Sequence, residues 1–142
     1  GTTQLILNTP NTLPPGPAAA TAAEAAPRPA IPGLPADAVV EVPCRVTPDG
    51  VVPLPQDRPA PAQLELMQRV KDVERLVVQA TGQDAGPASG TRRRGAALAA
   101  FARHPLVDSD VLAAKLLAGY EAAFPELLQL WRSNSDSTGD GS

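Results

Sequence analysis

The sequence is short of the residues that staple, stiffen or anchor a protein. It has one cysteine, Cys44, so no disulfide can form within the chain. Aromatics are 3% of its 142 residues, and the hydrophobic 43% is therefore largely Ala, Val and Leu, a thin supply of large core side chains. No apolar run reaches membrane length, and no charged-then-apolar leader opens the chain. A net charge of −3 and a pI near 5.0 give no global field to attract nucleic acid or an anionic membrane. These shortages predict a soluble, cytoplasmic protein with neither nucleic-acid nor membrane partners.

What is abundant is proline, with 17, joined by 11 glycines, and both concentrate between the periodic stretches. Gln4 to Asn8 is an apolar run stopped by Asn8, Pro10 and Asn11, and reads as a short buried strand. That Gly1 leads almost at once into this run suggests a chain entered in mid-fold. Residues 12–30 form a Pro/Ala-rich insert with too few large apolar groups to offset the entropy of ordering them, predicting a mobile loop. Ala38 to Val46 alternates as a strand, with Val40, Val42 and Cys44 on one face and Val39, Glu41 and Arg45 on the other. Pro43 in its middle predicts an edge position or a bulge. Thr47-Pro48-Asp49-Gly50 is a turn, and Val51 to Leu54 can return as the hairpin partner.

From Ala62 to Ala80 the period becomes helical, with Leu66, Val70, Val73 and Val77 on one stripe beside Leu64 and Met67. A loop over 82–90 follows, then a helix over Arg92 to Arg103 stopped by Pro105. Asp108 or Ser109 caps a last helix that Pro125 kinks or restarts. Residues 133–142 read as a disordered tail. The predicted class is α+β, with short antiparallel strands plus about three helices in one domain over 1–132.

Four stretches in order, Leu7-Asn8-Thr9-Pro10-Asn11, Ile31 through Val46 (IPGLPADAVVEVPCRV), Leu66 through Leu76 (LMQRVKDVERL) and His104-Pro105-Leu106-Val107, resemble the C-terminal domain of glycoside hydrolase family 4, of the 6-phospho-β-glucosidase type. They cover most of the chain outside its loops. The resemblance implies the C-terminal domain of a lactate/malate-dehydrogenase-like fold, here without its Rossmann half. It also implies an enzyme that uses NAD and a divalent metal, usually manganese, to cleave 6-phosphoglycosides by oxidation at C3, loss of the C2 proton and elimination, an exception to the two-carboxylate mechanism. By the same resemblance the Gly-rich turn, the metal-ligating Cys and His and the catalytic Tyr would precede Gly1, so no catalytic, cofactor or metal residue is assigned here and the segment alone would be inactive. Asn8 and Asn11 stand where relatives place groups close to the sugar phosphate and are the implied substrate-binding residues. Pro10 and Thr12 stand where many relatives have an Arg.

The remaining chemistry-bearing side chains have structural readings beside functional ones. Cys44, on an apolar strand face and followed by Arg45, reads as a buried thiol before a metal ligand. His104 reads as a helix-end residue near the last carbonyls, not a general base. Tyr120 reads as packing, and Arg92-Arg93-Arg94 as a solvated edge or subunit contact before a phosphate site. Trp131 with Leu127, Leu128 and Leu130 is a patch for another chain or for its own domain. Removing the Rossmann half would also bare the Leu5 to Leu7 strand and the long helix, predicting a homo-oligomer, dimer or tetramer. The alternatives to an enzyme fragment are a non-catalytic interaction or oligomerisation module and a degraded remnant.

Overall fold

The computed structural model describes residues 1–15, 28–82 and 90–132. In chain order these form β1 (Thr3–Pro10), β2 (Val39–Thr47), β3 (Gly50–Pro53), α1 (Pro61–Thr81), α2 (Gly90–Arg103), α3 (Asp110–Ala123) and α4 (Glu126–Arg132). The class is α+β, a three-stranded antiparallel sheet plus four helices. The fourth helix, beyond the three expected, arises at Pro125. The residue before a proline is disfavoured in helical geometry, and Phe124 accordingly leaves it, at φ −129 and ψ 81, so the last helix splits in two. None of these helices is long and apolar enough to cross a membrane. The chain forms two compact units, Gly1–Met67 and Gln68–Ser142.

In the first unit the sheet order is β1-β2-β3. The alternation of β2 buries Val40, Val42 and Cys44, which join Ile31, Leu34 and Leu64 in a core flanked by Leu7 and Met67. Each fully buried aliphatic side chain contributes roughly 1.5–3 kcal/mol, so this small cluster carries much of the unit's stability. Pro61 opens α1 at a position where its missing N–H costs nothing, and Gln63 Oε1 accepts from the Ala60 N–H at 3.2 Å. That start delivers Leu64 to the core. It lies close over Gly33, where a Cβ would meet Leu64 Cδ2 at 2.6 Å, and Gly33 has φ 97, so both space and backbone require glycine there.

Pro43 sits in the central strand in unbroken register, neither at the edge nor in the bulge expected from sequence. Its C=O accepts the Leu54 N–H at 2.9 Å, just past the end of β3. A hydrogen-bonded antiparallel pair would return an N–H from position 43 to the Leu54 carbonyl. That carbonyl instead takes Gln56 Nε2 at 2.9 Å, so a side chain replaces the donor proline lacks.

The Gln4 to Asn8 strand exists but is not buried. As β1 it forms one side of the sheet, leaving Leu5 49% and Ile6 66% exposed while Leu7 alone of the run packs on the core. The insert is pinned at both ends. Leu13 N–H donates to Arg28 O at 2.7 Å, Ala30 is fully buried, and its carbonyl accepts from Gln56 N–H at 2.8 Å. Residues 12–15 and 28–30 thus belong to the folded unit. The expected mobility of the insert's interior, most of the 82–90 loop and the 133–142 tail fall outside the described residues.

The second unit is built on small residues. Ala96 and Ala100 of α2 and Ala113 and Leu117 of α3 are buried, and short side chains let those helices approach closely. Ser109 is the N-cap, its side chain accepting from Leu112 N–H at 3.3 Å, which decides between the two predicted caps. The predicted apolar stripe of α1 stays largely exposed, with Leu66 at 51% and Val77 at 49%. Of this helix only Leu64 and Ala80 are buried.

Candidate functional site

The end of β1 places the two implied substrate residues in opposite settings. Asn8 is exposed and opposite Glu41 in register. Asn11 is wholly buried, and its amide is committed inward. Nδ2 donates to the carbonyls of Ile31 (3.1 Å), Leu34 (3.1 Å) and Pro35 (3.2 Å), while Oδ1 accepts from Ile31 N–H at 2.7 Å. Its backbone N–H donates to Ala38 O at 2.8 Å. Asn11 therefore holds the Ile31 to Pro35 turn against the strand, and next to it Thr12 Oγ1 donates to Ala36 O at 2.9 Å. The rim that remains open to a ligand is Asn8, Thr9 and the backbone that Asn11 fixes, with the carboxylate of Glu41 as neighbour.

The donor set of the described residues does not fit a metal ion. Cys44 is fully buried in the core and directs Sγ to Val42 O at 3.4 Å, as expected for a structural thiol. His104 uses Nδ1 to accept the Leu106 N–H at 3.2 Å, while its carbonyl accepts from Val107 N–H. It braces the turn after α2 in this way, and no bond to the helix's last carbonyls is made by its ring, contrary to the sequence expectation. Among the described residues no three His, Cys, Asp or Glu side chains come together as a metal site. A dinucleotide fits no better. The positive-φ glycines Gly33, Gly50 and Gly82 lie in a loop, a hairpin and a helix end, none of them a strand-to-helix turn of the kind that cradles a pyrophosphate.

The second unit contains a polar network that spacing did not reveal. Glu121 on α3 accepts Arg94 Nε at 2.7 Å and Nη2 at 3.0 Å, a two-pronged pair, and also Trp131 Nε1 at 3.0 Å. The hydrogen bond from Arg94 holds the Glu121 carboxyl below its ordinary range, outweighing the opposing effect of burial, and the same bond raises Arg94. Arg94 is thus taken up within the unit, and Trp131 is half-buried and anchored there too, which is the intradomain reading of that patch. Glu121 follows Arg94 by 27 positions and precedes Trp131 by ten. Only the general need of a half-buried indole N–H for an acceptor hinted at such a partner. Tyr120 packs between Phe101 and Phe124, at ring separations of 5.5 and 6.0 Å.

Beside this network is an apolar cleft of ≈ 320 Å³ between the helices, with Val77, Phe101, Leu117, Tyr120 and Trp131 in its wall and His104 and Thr81 as its few polar neighbours. Its lining carries no carboxylate, lysine or arginine.

The family 4 glycosyl hydrolase C-terminal domain matches residues 3–107, which takes in the sheet, the Asn11 turn, α1 and α2. No curated protein matches the chain.

Proposed function

Residues 3–107 make this chain a member of glycosyl hydrolase family 4, through that family's C-terminal domain, and on this premise we propose that it is part of a 6-phospho-β-glucosidase. The protein as a whole hydrolyses O-glycosidic bonds of 6-phosphoglycosides by oxidation and elimination, dependent on NAD and on a divalent metal, manganese in the first instance. The observation that carries the reading is the family match together with what lies inside it. Two of the four stretches that resemble the family, Leu7 to Asn11 and the one that begins at Ile31, are the two that Asn11 joins by four side-chain hydrogen bonds. That join fixes a strand end as one wall of a sugar-phosphate cleft. Asn8, whose side chain is exposed, makes the substrate contact, and Asn11 acts as a positioning residue through the backbone it holds.

In this reading NAD and the metal are held by parts of the protein outside this segment. The segment is therefore inactive by itself. A cytoplasmic location suits a chain with one unpaired cysteine and a substrate that is already phosphorylated. The test is release of nitrophenol from 4-nitrophenyl 6-phospho-β-glucoside by the protein that contains this domain. Activity requiring both NAD and Mn²⁺, and weakened in KM by Asn8→Ala, is expected. Activity indifferent to both additions contradicts the reading.

A second reading, a non-catalytic interaction or oligomerisation module, is favoured by one observation, the exposed apolar positions Leu66, Val70 and Val77 along α1. Under that reading the same protein leaves the phosphoglucoside untouched at any cofactor level.

A further inference from the structure

We propose that Arg28 is the phosphate-recognising residue of this domain, brought to the end of β1 from the far side of the insert by its bridge to Leu13. The inference rests on the phosphoglycoside reading above and adds to it the side chain that tells a 6-phosphorylated sugar from a plain one.

The wall assigned to the sugar phosphate is short of positive charge. Asn8 and Thr9 are neutral, and the residue opposite Asn8 in register is Glu41, whose carboxylate repels a phosphate. Leu7 to Thr12 contains no cation to offset it. A phosphate monoester carries about −1.5 to −2 charge at neutral pH, and charge-assisted hydrogen bonds from Arg or Lys are its usual partners. The cationic side chains of the first unit are Arg28, Arg45 and Arg58. Arg45 is the register partner of Gln4, roughly 13 Å along the sheet from the pair formed by Asn8 and Glu41. Arg58 belongs to the connection between β3 and α1 and takes part in no ladder. Arg28 is the one tied by its backbone to the strand end.

The tie begins at the last residue of β1. The Thr12 N–H donates to Pro10 O at 2.7 Å, so the chain turns sharply at Asn11. The Leu13 N–H then donates to Arg28 O at 2.7 Å, and the two residues form an antiparallel bridge. Bridged residues lie about 5 Å apart between Cα atoms, so the chain leaves at Leu13 and returns at Arg28 to the same place. Arg28 is held from its other side as well. The buried Ala30 accepts the Gln56 N–H at 2.8 Å, and the Ile31 N–H donates to Asn11 Oδ1 at 2.7 Å. The insert therefore falls between Asn11 and the residue it clamps without separating them, and the cation arrives with the returning chain.

The Arg28 side chain is suited to the task. It is exposed, and no carboxylate among the described residues pairs with it, whereas Arg94 is taken up by Glu121. Its planar fork can meet two phosphate oxygens at once. Because the backbone beneath it is already fixed on both sides, less freedom is lost when the anion binds.

The test uses the protein that contains this domain, with glucose 6-phosphate binding measured by calorimetry and turnover of 4-nitrophenyl 6-phospho-β-glucoside. Arg28→Ala should weaken binding and raise KM by about tenfold to a hundredfold, the loss expected of charged hydrogen bonds to a phosphate, with kcat much less affected. Arg28→Lys keeps the charge without the fork and should recover part of that loss. Arg45→Ala removes the same charge at a distance and should shift both values far less. The bridge is made by backbone atoms, so the variants should keep the wild-type Tm. Glucose 6-phosphate binding that Arg28→Ala leaves intact overturns the inference while the glycosidase reading stands. An equal loss in Arg45→Ala also overturns it, since the effect would then be one of overall charge. Binding that depends on Arg28 without any turnover upholds the phosphate site and contradicts the glycosidase reading. A wild-type protein that does not bind glucose 6-phosphate contradicts both.

Discussion

Replacing Asn11 with Ala should damage this domain more than any other single change to a polar side chain in it. The substitution removes an amide that serves three carbonyls and one N–H in a place with no access to water. A typical neutral hydrogen bond contributes about 1 kcal/mol net, and each buried group left without a partner costs roughly 1–3 kcal/mol. The Ile31 N–H loses the acceptor it has in Asn11 Oδ1, whereas the Ile31 carbonyl also accepts Leu34 N–H at 3.4 Å and the Pro35 carbonyl also accepts Ala38 N–H at 3.2 Å. A loss of about 2–5 kcal/mol follows, against a total stability of about 5–15 kcal/mol for an ordinary domain. Urea unfolding followed by far-UV dichroism measures the total. Exchange of the Ile31 amide measures the local part and should quicken by roughly thirtyfold or more. Thr12→Val, which removes one exposed bond to Ala36, is the control and should cost about 1 kcal/mol or less. If Asn11→Ala falls within about 0.5 kcal/mol of wild type, the clamp is not what holds the Ile31 to Pro35 turn.

Other changes have equally definite outcomes. Gly33→Ala combines a left-handed backbone with a clash against Leu64 and should lower stability by about 1–3 kcal/mol, with a fall in Tm read by dichroism. Cys44, fully buried, should resist a thiol reagent in the folded chain and react in full on unfolding in urea. For Glu121 the folded pKa is depressed, so its contribution is present above the unfolded value near 4.5 and is lost as pH falls through the lower folded value. Glu121→Gln should flatten that acid arm of the Tm profile, modestly because Arg94 is 48% exposed. An unchanged profile below pH 4.5 would show that the pair does not couple to folding.

Much of the fold was legible because its pattern is local. The alternation over Val40, Val42 and Cys44, the Thr47 to Gly50 turn and the helix starts all depend on neighbours within a few positions, and all appear in the structure. What was illegible is tertiary. An apolar run such as Leu5 to Leu7 fits a central strand and an edge strand equally, and only the pairing seen among the described residues, β1 with β2 alone, decides it. Pro43 argues against a central strand until Gln56 is seen supplying the missing donor. At the site, the resemblance pointed to Asn8 and Asn11 as a pair, while burial separates them into a surface group and a clamp. Glu121 was missed altogether, since its partners Arg94 and Trp131 lie on other helices.

The mechanism proposed for the whole protein would leave a trace in its product, since loss and return of a proton at C2 accompany every turnover in an oxidation and elimination scheme, and a two-carboxylate hydrolysis never touches that position. The measurement is the mass and NMR spectrum of the sugar phosphate released from a 6-phospho-β-glucoside in D₂O by the protein containing this domain. Deuterium at C2 of the product is predicted, and a product formed with C2 still fully protonated would contradict the account.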